Sequence, residues 1–223
     1  MAQMQTDSGA KAQARVVFLG AARTGKSAIV KRFVHDVFEE EYKSTVEDLH
    51  SVEHRESGGS LCFRMEILDT SGSYSFPAMR RLAIRHADAC VLVFSLDDPG
   101  SFEEVRRLRD EIQGAGDRAC GPAVCVVGNK SDVRTDQDLL EEIPYIVEGE
   151  WGYCYKETSA RDDKGVLQLF RELLVQLRVP WSTSLEVMAP QKRKRREALV
   201  KQKHRKHRKQ PRIASKINSC LVS

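Results

Sequence analysis

The 223-residue chain predicts an α/β fold, a six-stranded and mostly parallel sheet flanked by helices, with a basic C-terminal tail. Three observations predict it. Near-continuous apolar runs at residues 89–94 and 123–127 have strand length and read as central parallel strands covered on both faces. Segments with apolar residues at three- and four-residue spacing alternate with the strands. A glycine-rich loop, residues 20–27, joins another apolar run to the first of these helices.

Val16-Val17-Phe18-Leu19 reads as a buried strand, and Gly20-Ala21-Ala22-Arg23-Thr24-Gly25-Lys26-Ser27 after it fits G-x-x-x-x-G-K-[ST]. This is a phosphate-binding loop. Its glycines let backbone N–H groups close around phosphates, and the helix beginning at Lys26 adds the positive end of its dipole. Lys26 is expected at the β- and γ-phosphates and Ser27 on Mg²⁺. The plain alternative is a chance glycine-rich turn. Ile29, Val30 and Phe33 give residues 26–35 an apolar helical face, with Phe38 just beyond. The acidic stretch 39–46 has no period and reads as loop.

Residues 46–54 are weak as a strand, because Val46, Leu49 and Val52 do not alternate. Leu61, Phe63, Met65 and Ile67 do alternate, and the cluster Ser57-Gly58-Gly59-Ser60 before them predicts a hairpin. This strand ends at Leu68, which puts Asp69-Thr70-Ser71-Gly72 at the carboxyl edge of the sheet beside the first loop. Helices follow over 76–86, over 101–113 with Ser101 as cap, over 139–147 and over 166–177. The last strand covers 153–157, and Gly128-Asn129-Lys130-Ser131-Asp132 leaves the strand before it.

Charge divides the chain. Residues 192–223 hold 13 Lys and Arg against one Glu, whereas the remainder holds 23 against 31 acids, so the net +4 hides an acidic body with a strongly basic tail. Such a tail is built to meet an anionic surface. The six cysteines show no paired spacing, and several lie in apolar runs as small hydrophobes, which fits a reducing compartment. Residues 1–14 read as a flexible, polar N-terminus with no secretory leader, and Ala2 predicts no myristoylation. No stretch has the apolar length of a membrane span.

Five stretches stand in one order: residues 20–27, Thr45 after an acidic loop containing Tyr42, residues 69–72, Asn129-Lys130-Ser131-Asp132, and Glu157-Thr158-Ser159-Ala160-Arg161. In this the chain resembles the Ras superfamily of small GTPases, with a P-loop NTPase fold over residues 15–179 and a linker and tail over 180–223. The run Phe76-Pro77-Ala78-Met79-Arg80-Arg81 is most similar to the Ras-dva and Dexras/Rhes branch. The longer, insert-rich tail of the Dexras/Rhes proteins favours the Ras-dva side.

The resemblance implies a monomeric switch that binds GTP or GDP with Mg²⁺. Residues 20–27 would hold the phosphates, with Ser27 and Thr45 on the metal and Asp69 acting on it indirectly. Lys26, Thr45, Gly72 and position 73 would carry hydrolysis, and Thr45 and Gly72 would meet the γ-phosphate. Losing that phosphate would release residues 42–48 and 72–79, the two switches. A permanently folded loop is the alternative. Asp132 would select guanine, because adenine does not present the N1 and exocyclic-amine donors it accepts from. Asn129 and Lys130 would brace the base and the phosphate loop, and Ser159, Ala160 and Arg161 would complete the pocket. Phe38 would stack on the base, or be a core contact. Tyr42, Val46, Glu47 and Asp48 would be offered to effectors, and an exchange factor is implied.

Two positions depart from the family pattern. Ser73 replaces the glutamine that orients the attacking water, and Ala22 replaces a glycine that leaves room for it and for an arginine finger. Slow hydrolysis is expected. Arg23, where the family often has glycine, reads either as a solvated side chain or as an arginine acting in cis.

The chain closes on Cys220-Leu221-Val222-Ser223, a C-a-a-X pattern whose terminal serine favours farnesyl, and so implies a prenyltransferase as partner. One lipid chain binds marginally, and the Lys/Arg clusters supply the second signal toward anionic inner-leaflet lipids. The cytoplasmic face of the plasma membrane is the expected location. A nuclear or RNA-associated protein is the rival reading of the basic clusters, with no DNA partner expected, and a GTP-locked binding scaffold without useful turnover is another.

Overall fold

The computed structural model describes residues 13–55, 61–72, 77–115, 121–133 and 138–179. The expectations for residues 1–12, the turn at 57–60, Ser73, Phe76, Cys120, the tail and Cys220 lie outside the described residues.

Strand β1 (Gln13–Leu19) starts earlier than its apolar run, because Ala14 is buried while Arg15 faces out and pairs with Glu66 at 3.0 Å. Helix α1 (Lys26–His35) follows the glycine-rich loop. The hairpin of β2 (Glu47–Arg55) and β3 (Leu61–Thr70) is antiparallel. Next come α2 (Pro77–His86), β4 (Ala89–Ser95), α3 (Phe102–Gly114), β5 (Ala123–Asn129), α4 (Asp138–Pro144), β6 (Cys154–Glu157) and α5 (Val166–Gln176). The described strands form one sheet in the order β2-β3-β1-β4-β5-β6, parallel except for β2. The six-stranded, mostly parallel α/β fold is the one the sequence predicts.

Helices cover both faces, which is why β4 is buried along its whole length. One apolar cluster lies toward α1 and α5, where the rings of Phe33 and Phe170 stack with centroids 3.6 Å apart. The other joins Val17, Leu92, Phe94 and Val126 to Phe102, Val105 and Leu108 of α3. Burying a side chain of this size stabilises the fold by about 1.5–3 kcal/mol.

Four local expectations change. Strand β3 runs two residues past Leu68, since Asp69 stays in register with Phe18 and Asp48, and Thr70 donates to the Phe18 carbonyl at 2.6 Å. Ser101 does not cap α3. Its hydroxyl accepts from the Ser95 N–H at 2.9 Å and donates to the Asp98 carbonyl, closing a turn at the exit of β4. The helix expected over 139–147 is α-helical only to Pro144, after which residues Tyr145–Glu150 wind as a π-helix. Proline has no N–H to give and its ring crowds the preceding turn, so the spacing widens there. Finally, the cysteines are paired in space though not in sequence: β5 and β6 set Cys125 beside Cys154.

Candidate functional site

The carboxyl ends of β1, β3, β4, β5 and β6 point the same way, and the motif stretches of the sequence gather on that edge as one cleft. Its phosphate end is a cavity of about 500 Å³ lined by Ala22, Lys26, Ser27, Thr45, Asp69 and Gly72 among others, a volume suited to a small-molecule ligand. Helix α1 begins there with Gly25 in a left-handed conformation and no side chain capping it, which leaves its first N–H groups free for an anion. The two halves of the cleft meet at Gly25. A Cβ on Gly25 would sit 2.2 Å from Asn129 Nδ2, so glycine is what lets Asn129 reach the Thr24 carbonyl at 2.9 Å.

Lys26 is buried, and its ammonium donates to the carbonyls of Gly20 and Ala21, both at 2.8 Å. Burial pulls its pKa down to about 8, and the carboxylates of Asp69 and Glu104 oppose that shift. The lysine is thus fixed to its own loop. Ser27 and Thr45 bring their hydroxyls within 2.7 Å of each other across the cleft. Asp69 lies behind them, almost fully buried, and its Oδ1 has no hydrogen-bond partner among the described residues. Burial raises the pKa of Asp69, against the pull of the Ser27 hydroxyl, Lys26 and His50. Two converging hydroxyls and an orphaned hard carboxylate oxygen suit Mg²⁺, which takes oxygen ligands and keeps several waters. Ser27 and Thr45 would hold it directly, and Asp69 through water.

Gly72 lies against the loop. A Cβ there would fall 2.3 Å from the Ala22 nitrogen, so no side chain fits between residue 72 and the phosphate cradle. Arg23 has φ 63°, a left-handed value uncommon for a residue with a side chain, and its guanidinium lies 5.1 Å from the centroid of the Tyr42 ring. Neither sequence reading of Arg23 foresaw this: it reaches across the mouth of the cavity to the first switch segment.

At the opposite end, Asn129 is 2 % exposed. Its Oδ1 accepts from the Thr158 hydroxyl at 3.0 Å and the Ala160 N–H at 3.3 Å, while its Nδ2 donates to Thr24. Ser159 donates to Asp132 Oδ1 at 2.6 Å, and the Arg161 guanidinium lies 3.9 Å from the other oxygen. Asp132 is therefore aimed before any ligand arrives. Lys130 has φ 65° and donates to both oxygens of Asp97, at 3.2 and 3.0 Å. Phe38 packs on the edge of the α1–α5 core with the Arg32 guanidinium 5.9 Å from its ring centroid, the core contact that was one of its two readings.

Two residues here escaped sequence reading. Asp97 stands just past the end of β4, on the ligand edge of the sheet, a position that could have marked it. Arg32 donates to the carbonyls of Ala160 at 2.8 Å and Arg161 at 3.0 Å, holding the 158–161 loop from α1. It sits on the polar face of an ordinary amphipathic helix, where no pattern distinguishes it.

The expected effector segment is open to solvent. Val46 is 80 % exposed, Tyr42, Glu47 and Asp48 are also exposed, and the Val46 carbonyl accepts from the Ser71 N–H at 3.1 Å, which links this segment to the end of β3. Leu49, Met79 and Leu82 are exposed beside it.

The Ras family model matches residues 15–179. The chain is 37% identical over 187 residues to GTP-binding protein Rhes of Mus musculus, an alignment covering 78% of this chain and 68% of that one, and equally identical to Rhes of Homo sapiens. It is 35% identical to GTP-binding protein Di-Ras2 of Macaca fascicularis, covering 83% of this chain and 92% of the other. With the cleft assembled as described, the chain belongs to the Ras family.

Proposed function

We propose that the protein is a membrane-anchored switch that binds GTP and GDP with Mg²⁺, engages effectors in the GTP state and hydrolyses GTP slowly. The observation that carries the nucleotide reading is the hydrogen-bonded bridge from Thr24 through Asn129 to Thr158 and Ala160, which joins a phosphate cradle to an aimed carboxylate at Asp132. The carboxylate accepts from the guanine N1–H and amine, and the Ser159 and Ala160 backbone meets the guanine oxygen.

Ser27 and Thr45, with Asp69 behind them, would hold Mg²⁺, which when bound would supply positive charge that offsets the charge developing on the phosphates. Lys26 and the first N–H groups of α1 neutralise the phosphates. Thr45 and Gly72 contact the γ-phosphate, so its loss frees residues 42–48 and the segment after Gly72. The exposed Val46, Glu47 and Asp48 meet effectors only while that phosphate holds them in place.

Slow turnover follows from composition at two positions. A serine at 73 is too short to orient the attacking water as glutamine does. The Ala22 backbone already fills the space a side chain at residue 72 would need, and a methyl at residue 22 takes room that a glycine there would leave. For location, a farnesyl group on Cys220 and the basic clusters of the tail together hold the protein at anionic inner-leaflet lipids. Nuclear import through those same clusters is the second reading, favoured by the 13 basic residues of the tail.

The test is the nucleotide carried by freshly purified full-length protein, with competition by GTP, GDP and ATP. Bound guanine nucleotide that ATP does not displace is expected, and equal displacement by ATP would overturn the reading of Asp132. Cys220→Ser should move the protein from the membrane fraction to the soluble fraction. Unchanged nuclear staining of that variant would favour the second reading.

A further inference from the structure

Cys125 and Cys154 are register partners on β5 and β6, neighbouring parallel strands. Such strands run about 4.8 Å apart, inside the Cα separation of about 4.4–6.8 Å that a disulfide spans. Both cysteines are free thiols, and both join the apolar layer toward α5, so their side chains share one face of the sheet. Cys125 is fully buried and Cys154 is only partly so. Each thiol also lies 4.0 Å from the carbonyl of the residue that follows it, Val126 for Cys125 and Tyr155 for Cys154.

We propose that Cys125 and Cys154 form a dithiol site that peroxide converts to a disulfide, placed beneath the loops that hold the base. The roles of the two sulfurs differ. Cys154 is the less buried one, and the neighbouring Cys125 thiol favours a thiolate there. Burial opposes that effect, the Lys156 ammonium supports it, and the carboxylates of Glu172 and Glu148 work against it. Cys125 is pushed the other way, first by the neighbouring Cys154 and then by burial. This is the arrangement of an attacking and a resolving cysteine.

The chemistry balances with hydrogen peroxide as the oxidant. The Cys154 thiolate attacks one peroxide oxygen, the O–O bond breaks, hydroxide leaves and a sulfenic acid forms. Cys125 Sγ then attacks Cys154 Sγ, the S–O bond breaks, and the hydroxyl departs as water with the Cys125 proton. Two thiols and one peroxide become one disulfide and two waters. The bond would tie β5 to β6 just before they deliver Asn129 and Ser159 to the cleft. Cys90 is an internal control: it is buried on β4, and burial pushes its thiol up to about 12.

The experiment treats the full-length reduced protein with an equimolar dose of hydrogen peroxide, blocks remaining thiols by alkylation and maps the peptides by mass spectrometry. A Cys125–Cys154 linked peptide is expected, lost on reduction, with Cys90 alkylated throughout. In Cys125→Ser the sulfenic acid on Cys154 should persist and be captured by dimedone. In Cys154→Ser, Cys125 should remain a thiol. Sulfinic acid on wild-type Cys154 with Cys125 still alkylated would overturn the proposal, as would both thiols surviving as well as Cys90. The wild-type map decides on its own if a variant does not fold.

Discussion

At one end of the cleft Asn129, 2 % exposed, makes three hydrogen bonds that fasten the phosphate loop to the 158–161 loop, and Arg32 clamps that loop again from α1. At the other end Val46 is 80 % exposed, and the segment around it is tied down by the Val46–Ser71 backbone bond, the Ser27–Thr45 hydroxyl contact and the reach of Arg23 to Tyr42. Buried, mutually satisfied polar groups are costly to separate, whereas exposed single contacts are worth about 1 kcal/mol or less. On the proposed function, the base end is set for either nucleotide, and the other end would be reset by the presence or absence of one phosphate.

That contrast can be broken at either end. Asn129→Ala should have the largest effect, because it strands the Thr24 carbonyl, the Thr158 hydroxyl and the Ala160 N–H. At about 1–3 kcal/mol for each buried unsatisfied group, a loss of at least about 3 kcal/mol in a urea unfolding curve is expected, with nucleotide affinity down by about 100-fold or more. A loss below about 1 kcal/mol would mean that the base end is not prefixed. Thr45→Ala should split the readouts. Unfolding free energy should change by less than about 1 kcal/mol, as for one partly exposed hydrogen bond, while the preference for GTP with Mg²⁺ over GDP falls by roughly tenfold. A fully destabilised protein would show that residue 45 belongs to the rigid half.

The smallest effect is expected at Arg23. An exposed cation–π contact contributes about 0.5–1 kcal/mol, so Arg23→Ala should speed release of a fluorescent GDP analogue by roughly two- to fivefold. Tyr42→Leu should do the same, and the double variant should add little more. Additive effects would show that the two side chains act separately.

The rigid end was the more legible in the sequence. Its strands β4 and β5 are covered on both faces and read as plain apolar runs, and Asn129, Asp132 and Ser159 fall in a fixed order at strand ends. Strand β2 hid its pattern for a physical reason. Asp48, His50 and Val52 share one face, on which Val52 is buried in the core, His50 is half-buried with its Nε2 3.3 Å from Asp48 Oδ2, and Asp48 lines the cavity, while the apolar Leu49 is exposed on the other face. Polar residues on the inner face and an apolar one outside break the alternation on this edge strand. Arg32 and the Cys125–Cys154 pair were invisible because their partners are remote in the chain and only the fold brings them together, whereas Asp97 offered only its place at a strand end. Gly72 is expected from the sequence only as a γ-phosphate contact, and the close approach of its backbone to Ala22 adds a reason for glycine there.

Whether the cleft holds GTP more than it consumes it is tested most directly by single-turnover hydrolysis in the full-length protein with Mg²⁺. Ser73 and the crowded Ala22 predict a rate at or below the unassisted Ras figure, on the order of 10⁻⁴ s⁻¹. A rate above about 10⁻² s⁻¹, that of a GTPase with its arginine in cis, would contradict it.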